Sequence, residues 1–127
     1  MKIIAIGVFG ISGIMLRYLI DSYIDNKESL LPYATIFANL IGCFIAGFTV
    51  TLINQKFSNS IYLPAIIIGF CGGLTTFSSL ILQSIQLVQS GQTIRALFYI
   101  VISIALGSAV FITGVKMASL FMNIKDQ

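Results

Sequence analysis

Histidine and tryptophan are absent from these 127 residues, and charged side chains make up only 9% of them. A soluble domain carries about a quarter charged residues, so the chain has no means of covering a water-facing surface. Mean hydropathy is +1.02 and apolar residues reach 57%. These shortages exclude an ordinary cytosolic enzyme and a disordered chain. The seven basic residues are scattered among four acidic ones, which excludes a phosphate-binding patch and hence a nucleic-acid partner. The two cysteines, Cys43 and Cys71, lie inside apolar stretches. Their spacing does not suit a zinc site, and thiols buried in a bilayer are poor disulfide partners. Without histidine, a metal-ligand cluster or an activated nucleophile, no enzyme chemistry is visible. What remains is an integral membrane protein.

Charge divides the chain into spans. No charged residue lies between Glu28 and Lys56, between Lys56 and Arg95, or between Arg95 and Lys116. A crossing helix needs about 20 largely apolar residues, and each interval holds one. The pattern predicts helices over residues 3–24, 32–53, 61–88 and 94–121, with short connections at 25–31, 54–60 and 89–93. Residues 1–127 thus read as a single all-α, four-helix transmembrane domain, multi-pass in a cell membrane. Lys2 precedes an apolar run, as in a secretory leader, but no small-residue cleavage site follows and the run continues through Arg17. Retention as a mature span is expected. Four spans place both termini on one side, with Lys2, Lys56, Lys116 and Lys125; Lys27 and Arg95 lie on the other. The positive-inside rule makes the termini cytoplasmic.

Polar groups inside hydrocarbon are costly and mark function by default. In the first span Gly7, Gly10, Gly13 and Arg17 share one face. Two roles fit Arg17: a side chain that snorkels to the interface, or a cation facing a water-filled vestibule. In the second, Thr35, Asn39, Gly42, Cys43 and Ala46 form one stripe, with Phe37, Leu40, Ile41, Phe44 and Phe48 around it. Asn39 suits either helix-packing glue or donation to a passing ligand through its amide NH2. In the fourth, Tyr99, Ser103, Gly107 and Gly114 recur at helical spacing. Their hydroxyls can donate to an anion or close back on the helix.

The third span is the most informative. Its centre reads Gly69-Phe-Cys-Gly-Gly-Leu-Thr-Thr-Phe-Ser-Ser79, between apolar arms at 61–68 and 80–88 that are each too short to cross alone. Glycine weakens a helix by about 1 kcal/mol relative to alanine, so the Gly72-Gly73 pair invites a break within 72–75. Non-helical backbone at that depth survives only when buried in protein or lining a cavity, and freed carbonyls there are a recurrent way to hold Na⁺.

Here the chain resembles the Fluc (CrcB) family of small fluoride channels. The run from Gly69 to Ser78 looks like the family's third-helix signature. Gly10-Ile-Ser-Gly13 with Arg17-Tyr18, Thr35 with Asn39 and Gly42, and Tyr99 with Ser103 and Gly107 match its other helices. The resemblance implies an antiparallel, dual-topology dimer of four-helix subunits, with two narrow pores giving passive fluoride efflux and protection from fluoride toxicity. It implies that Asn39 coordinates fluoride through its amide, that Phe77 offers its ring edge, and that Tyr99, Ser103 and Thr35 line the route. It also implies that Gly72 and Thr75 give carbonyls to a structural Na⁺ at the dimer centre, and that Arg17 sits toward a vestibule.

Two positions depart from the signature. Where it continues Phe-Ser-Thr-Phe-Ser-x-Glu, this chain has Phe77-Ser-Ser-Leu80-Ile-Leu-Gln83. Leucine has no ring quadrupole to offer an anion. A homodimer would carry Leu80 at both pores, whereas a heterodimer with a related subunit would regain an aromatic there. Two rivals remain. A proton-coupled exporter of the small multidrug type needs a mid-membrane carboxylate, and Asp21, Asp25, Glu28 and Asp126 all lie at span ends. A non-catalytic membrane assembly subunit explains the glycines but not the third-span run.

Overall fold

The computed structural model describes residues 1–24, 31–56 and 61–125. The expected connections at 25–30 and 57–60 and the acidic end at Asp126 lie outside the described residues. Four apolar helical spans account for nearly everything else. In hydrocarbon every backbone N–H and C=O must be satisfied within the segment, so long apolar runs become helices whatever their β-branched content.

The first helix, α1, covers Lys2–Ile24 and the second, α2, covers Tyr33–Lys56. At 1.5 Å per residue each is about 35 Å long, a little more than the roughly 30 Å hydrocarbon core. The third span runs over Tyr62–Gln89 and is composite. A short α-helical turn, α3 (Tyr62–Pro64), leads into a π-helical stretch, Ala65–Cys71, and then a second turn, α4 (Gly72–Leu74). After an interruption comes α5 (Phe77–Gln89). Pro64 falls in the first turn of this span, where its missing N–H costs no helical bond. The last helix, α6, covers Thr93–Lys125. Its length, about 50 Å at the same rise, makes it tilt or carry its final turns beyond the hydrocarbon.

The interruption falls at the C-terminal edge of the expected place. Gly72 is helical (φ −63°, ψ −33°), and Gly73 is helical within α4. The extended residues are Thr75 (φ −84°, ψ 152°) and Thr76 (φ −149°, ψ 118°). β-Branched threonine adopts extended backbone readily, and Thr76 then caps α5, its Oγ1 accepting the Ser79 N–H at 3.2 Å. Gly73 has another task.

Helices in lipid are not pressed together by hydrophobic burial, so close packing relies on small residues. Two backbone-on-backbone seams show this. In one, α1 lies on the third span: a Cβ on Gly13 would overlap the Phe70 carbonyl oxygen, and one on Gly73 would sit 2.5 Å from the Gly10 carbonyl. Gly69 faces Ile6 in the same way, at 2.6 Å. In the other seam, α2 lies on α6, with Gly47 against the Phe111 carbonyl and Gly114 against that of Phe44. Ile20, Ala34, Ala38 and Leu74 form the buried cluster between α1, α2 and the third span, flanked by Leu16, Ile41 and Phe70. The large side chains Ile3, Ile4, Met15, Ile94 and Val101 point outward, as a protein with lipid for solvent requires.

Gly13→Ala should therefore destabilise the fold by about 1–3 kcal/mol, the cost of overpacking a tight contact. Gly7→Ala, where an added Cβ meets nothing within 4 Å, should be neutral or slightly stabilising. Unfolding titrations in detergent compare the two.

Candidate functional site

The interruption opens onto a cleft of about 330 Å³. Its walls are Asn39 and Cys43 from α2, the extended pair Thr75 and Thr76, and Phe77 and Leu80 from α5. Ser103, Ile104, Gly107 and Ser108 close it from α6. Among the described residues no charged side chain lines it. One side lies open: Phe77 is 72% exposed although it is the first residue of a helix in mid-span.

Asn39 organises the interruption. In an unbroken helix the Thr76 N–H would bond to the Gly72 carbonyl, four residues back. Here it donates instead to Asn39 Oδ1 at 2.8 Å. Asn39 Nδ2 returns a long bond of 3.4 Å to the Thr76 carbonyl. The amide's oxygen is thus fixed, while its NH2, with two hydrogens, is only weakly engaged. Thr75 closes back on the helix behind it, its N–H and its hydroxyl both donating to the Cys71 carbonyl at 2.8 Å.

Of the residues singled out in the sequence, Asn39, Thr75, Phe77 and Ser103 share the cleft. Ser103 donates its hydroxyl proton to the Tyr99 carbonyl at 2.6 Å. Tyr99 and Thr35 lie apart from the cleft lining, buried between helices. The Tyr99 hydroxyl donates to Gln83 Oε1 at 2.7 Å, and the Thr35 side chain meets that hydroxyl as well. Gly72 is exposed beside the interruption, outside the cleft lining. Arg17 is also outside it. Its Nη2 donates to Ser79 Oγ at 2.7 Å and its Nε lies 3.6 Å from Asp21 Oδ2. Sequence reasoning noted Thr76 and Ser79 within the third-span run without giving either a role, and passed over Ser108. Threonine is a favoured N-cap residue, and its place just before the apolar arm at 80–88 could have found Thr76. Ser108 carries no signal beyond lying five residues after Ser103.

The family model described as CrcB-like protein, Camphor Resistance (CrcB), matches residues 4–115. The chain belongs to the CrcB family. Its curated relatives include the fluoride-specific ion channel FluC of Azobacteroides pseudotrichonymphae, 36% identical over 123 residues, covering 94% of this chain and 98% of that protein. The FluC of a Nitratiruptor species is 37% identical over 105 residues, 82% of this chain and 81% of its own length. The FluC of Flavobacterium psychrophilum is 38% identical over 108 residues, with 84% and 87% covered. The matched region takes in the second and third spans whole, most of the first and fourth, and every residue of the cleft.

Removing the acceptor at position 39 tests the local architecture. Asn39→Ala should strand the Thr76 N–H and cost about 1–3 kcal/mol of stability, the penalty for an unsatisfied buried donor. Unfolding titrations in detergent, set against the native protein, read this loss.

Proposed function

We propose that this chain is a fluoride-selective channel subunit, passing fluoride out of the cell passively and so protecting it from fluoride toxicity. It works as a conduit in the plasma membrane, not as an enzyme. The observation that carries the reading is the uncharged cleft in which the Asn39 amide and the Phe77 ring meet at a helix interruption. The relatives named as fluoride-specific channels support it over nearly the whole chain.

The chemistry suits a small hard anion. Asn39 is oriented by the bond to Thr76, so its NH2 donates without having to reorganise. An aromatic ring is positive at its edge, and Phe77 offers that edge with no formal charge to trap the ion. Donors of this kind replace hydration water while letting the ion leave. Thr35, Tyr99 and Ser103 continue the route. A negative-inside membrane potential drives an anion outward, so no coupling step is needed.

The partner is a second chain inserted with opposite topology. The open side of the cleft and the exposed Phe77 fit a pore completed by another subunit. A structural Na⁺ at the centre fits the carbonyls of Gly72 and Thr75. The helical donor for Gly72, the Thr76 N–H, is diverted to Asn39. The donor for Thr75, the Ser79 N–H, is diverted to Thr76 Oγ1. Both oxygens lose their ordinary helical partners, and neutral carbonyls are suitable ligands for a hard monovalent cation. Bound there, Na⁺ would supply electrostatic cross-linking between the two chains.

Purified protein in liposomes should release fluoride with chloride excluded, and Asn39→Asp should abolish that flux while the protein stays dimeric. Wild-type flux in this variant would remove Asn39 from the route, and no fluoride selectivity in the native chain would overturn the reading.

Leu80, nearly buried at the back of the cleft, stands where the family signature has a second aromatic. Expressed alone, the chain should conduct weakly as a homodimer, and Leu80→Phe should raise its flux. Robust flux from the unmodified chain, unchanged by the added ring, would show that no different subunit is required.

A further inference from the structure

We infer that Arg17 is a positioning residue: it ties α1 to the first turn of α5 through Ser79, and thereby holds Thr76 in register with Asn39. This role rests on the channel reading above, but its geometry stands on its own. Close contact of Gly13 and Gly10 with the third span brings α1 backbone-to-backbone with the residues before the interruption. One turn beyond Gly13, Arg17 is placed to reach across it. Its Nη2 meets Ser79 Oγ at 2.7 Å, the shortest link in a continuous relay. Ser79 Oγ accepts from Thr76 Oγ1 at 3.3 Å, and the Ser79 N–H donates back to Thr76 Oγ1 at 3.2 Å. The same hydroxyl meets Ser78 Oγ at 3.1 Å. The Thr76 peptide N–H then reaches Asn39 on α2. Three spans are joined at one point.

The competing role is that of an electrostatic collector, a free cation drawing anions toward the route. The contacts favour positioning. The guanidinium is already engaged on two edges, Nε facing Asp21 at 3.6 Å and Nη2 facing Ser79. The carboxylate offsets much of the charge a collector would need. A planar fork can serve two partners in two directions at once, whereas lysine presents one compact charge. Charge alone therefore does not fill the role.

The test compares Arg17→Met, Arg17→Lys, Ser79→Ala and Ser79→Thr with the native protein in liposomes. Backbone hydrogen exchange is followed at residues 77–80, and fluoride flux is followed against concentration at low and high salt. Arg17→Met, Arg17→Lys and Ser79→Ala should each speed exchange of the Ser79 amide by about tenfold, the scale of one charge-assisted hydrogen bond, with α6 unaffected. Ser79→Thr, which keeps the hydroxyl, should restore native exchange. Maximal flux should fall in the same three variants with the half-saturating fluoride concentration unchanged. That fall should be equal at both salt concentrations. Adding Ser79→Ala to Arg17→Met should change nothing more, because the two sit in one relay.

Native exchange in Arg17→Met would overturn the inference. So would normal flux in Arg17→Lys combined with a raised half-saturation in Arg17→Met that vanishes in high salt, where screening shortens to about 3 Å at 1 M; that result assigns Arg17 to anion collection. If the native protein carries no fluoride, the channel reading fails, while the exchange data still decide the relay.

Discussion

One hydrogen bond, from the Thr76 N–H to Asn39 Oδ1, allows the third span to be broken at all. Water is absent at that depth, and an unsatisfied backbone group there costs several kcal/mol. A helix can open in hydrocarbon only where a neighbouring element supplies the missing partner. Asn39 supplies it from α2, Thr76 Oγ1 supplies another for Ser79, and Thr75 stays bonded to Cys71. The cleft, the exposed Phe77 and the diverted carbonyls of Gly72 and Thr75 all follow from that exchange of partners.

The glycine seams supply the precision this exchange requires. A bond of 2.8 Å between α2 and the interruption needs the spans held to within a few tenths of an ångström. Backbone contact at Gly10, Gly13, Gly69 and Gly73 fixes α1 on the third span, and Gly47 and Gly114 fix α2 on α6. Gly42 contributes directly, since a Cβ there would run into the Thr75 side chain. A small residue is needed at that point for the extended threonine to lie against α2. Packing and polar chemistry are thus not separate layers in this protein.

The four spans were legible because a bilayer is an undemanding reader: it asks for an uninterrupted apolar run, and charge positions alone delimit those runs. The ends of α1 and α5 fall within a residue of expectation, while α2 and α6 run three to four residues further. The π-helical turn at Ala65–Cys71 left no mark in the residue types, because apolar residues satisfy either hydrogen-bonding pattern. Glycine propensity pointed to Gly72 and Gly73, yet both are helical, and Gly73 serves contact with α1. The two threonines after them carry the extended backbone, which β-branching and capping chemistry explain in retrospect. The stripe holding Asn39 left packing and ligand donation open. Its bond to Thr76 shows an organising task that no single-helix reading contains, because the partners lie 37 residues apart. The link from Arg17 to Ser79, 62 residues apart, was hidden for the same reason. The pairing of Tyr99 with Gln83, 16 residues apart, also required the turn between α5 and α6.

Because α5 begins at Phe77, halfway along its span, one end of a helix macrodipole is lodged inside the membrane. Aligned peptide units give such an end roughly half a positive elementary charge, delivered by backbone N–H groups pointing out of the first turn. This is a source of positive potential that never titrates. It needs no lysine or arginine dragged into hydrocarbon. Thr76 and Phe77, at that end, line the cleft. A membrane protein with almost no charged side chains thereby places part of its charge separation in the direction of the chain itself.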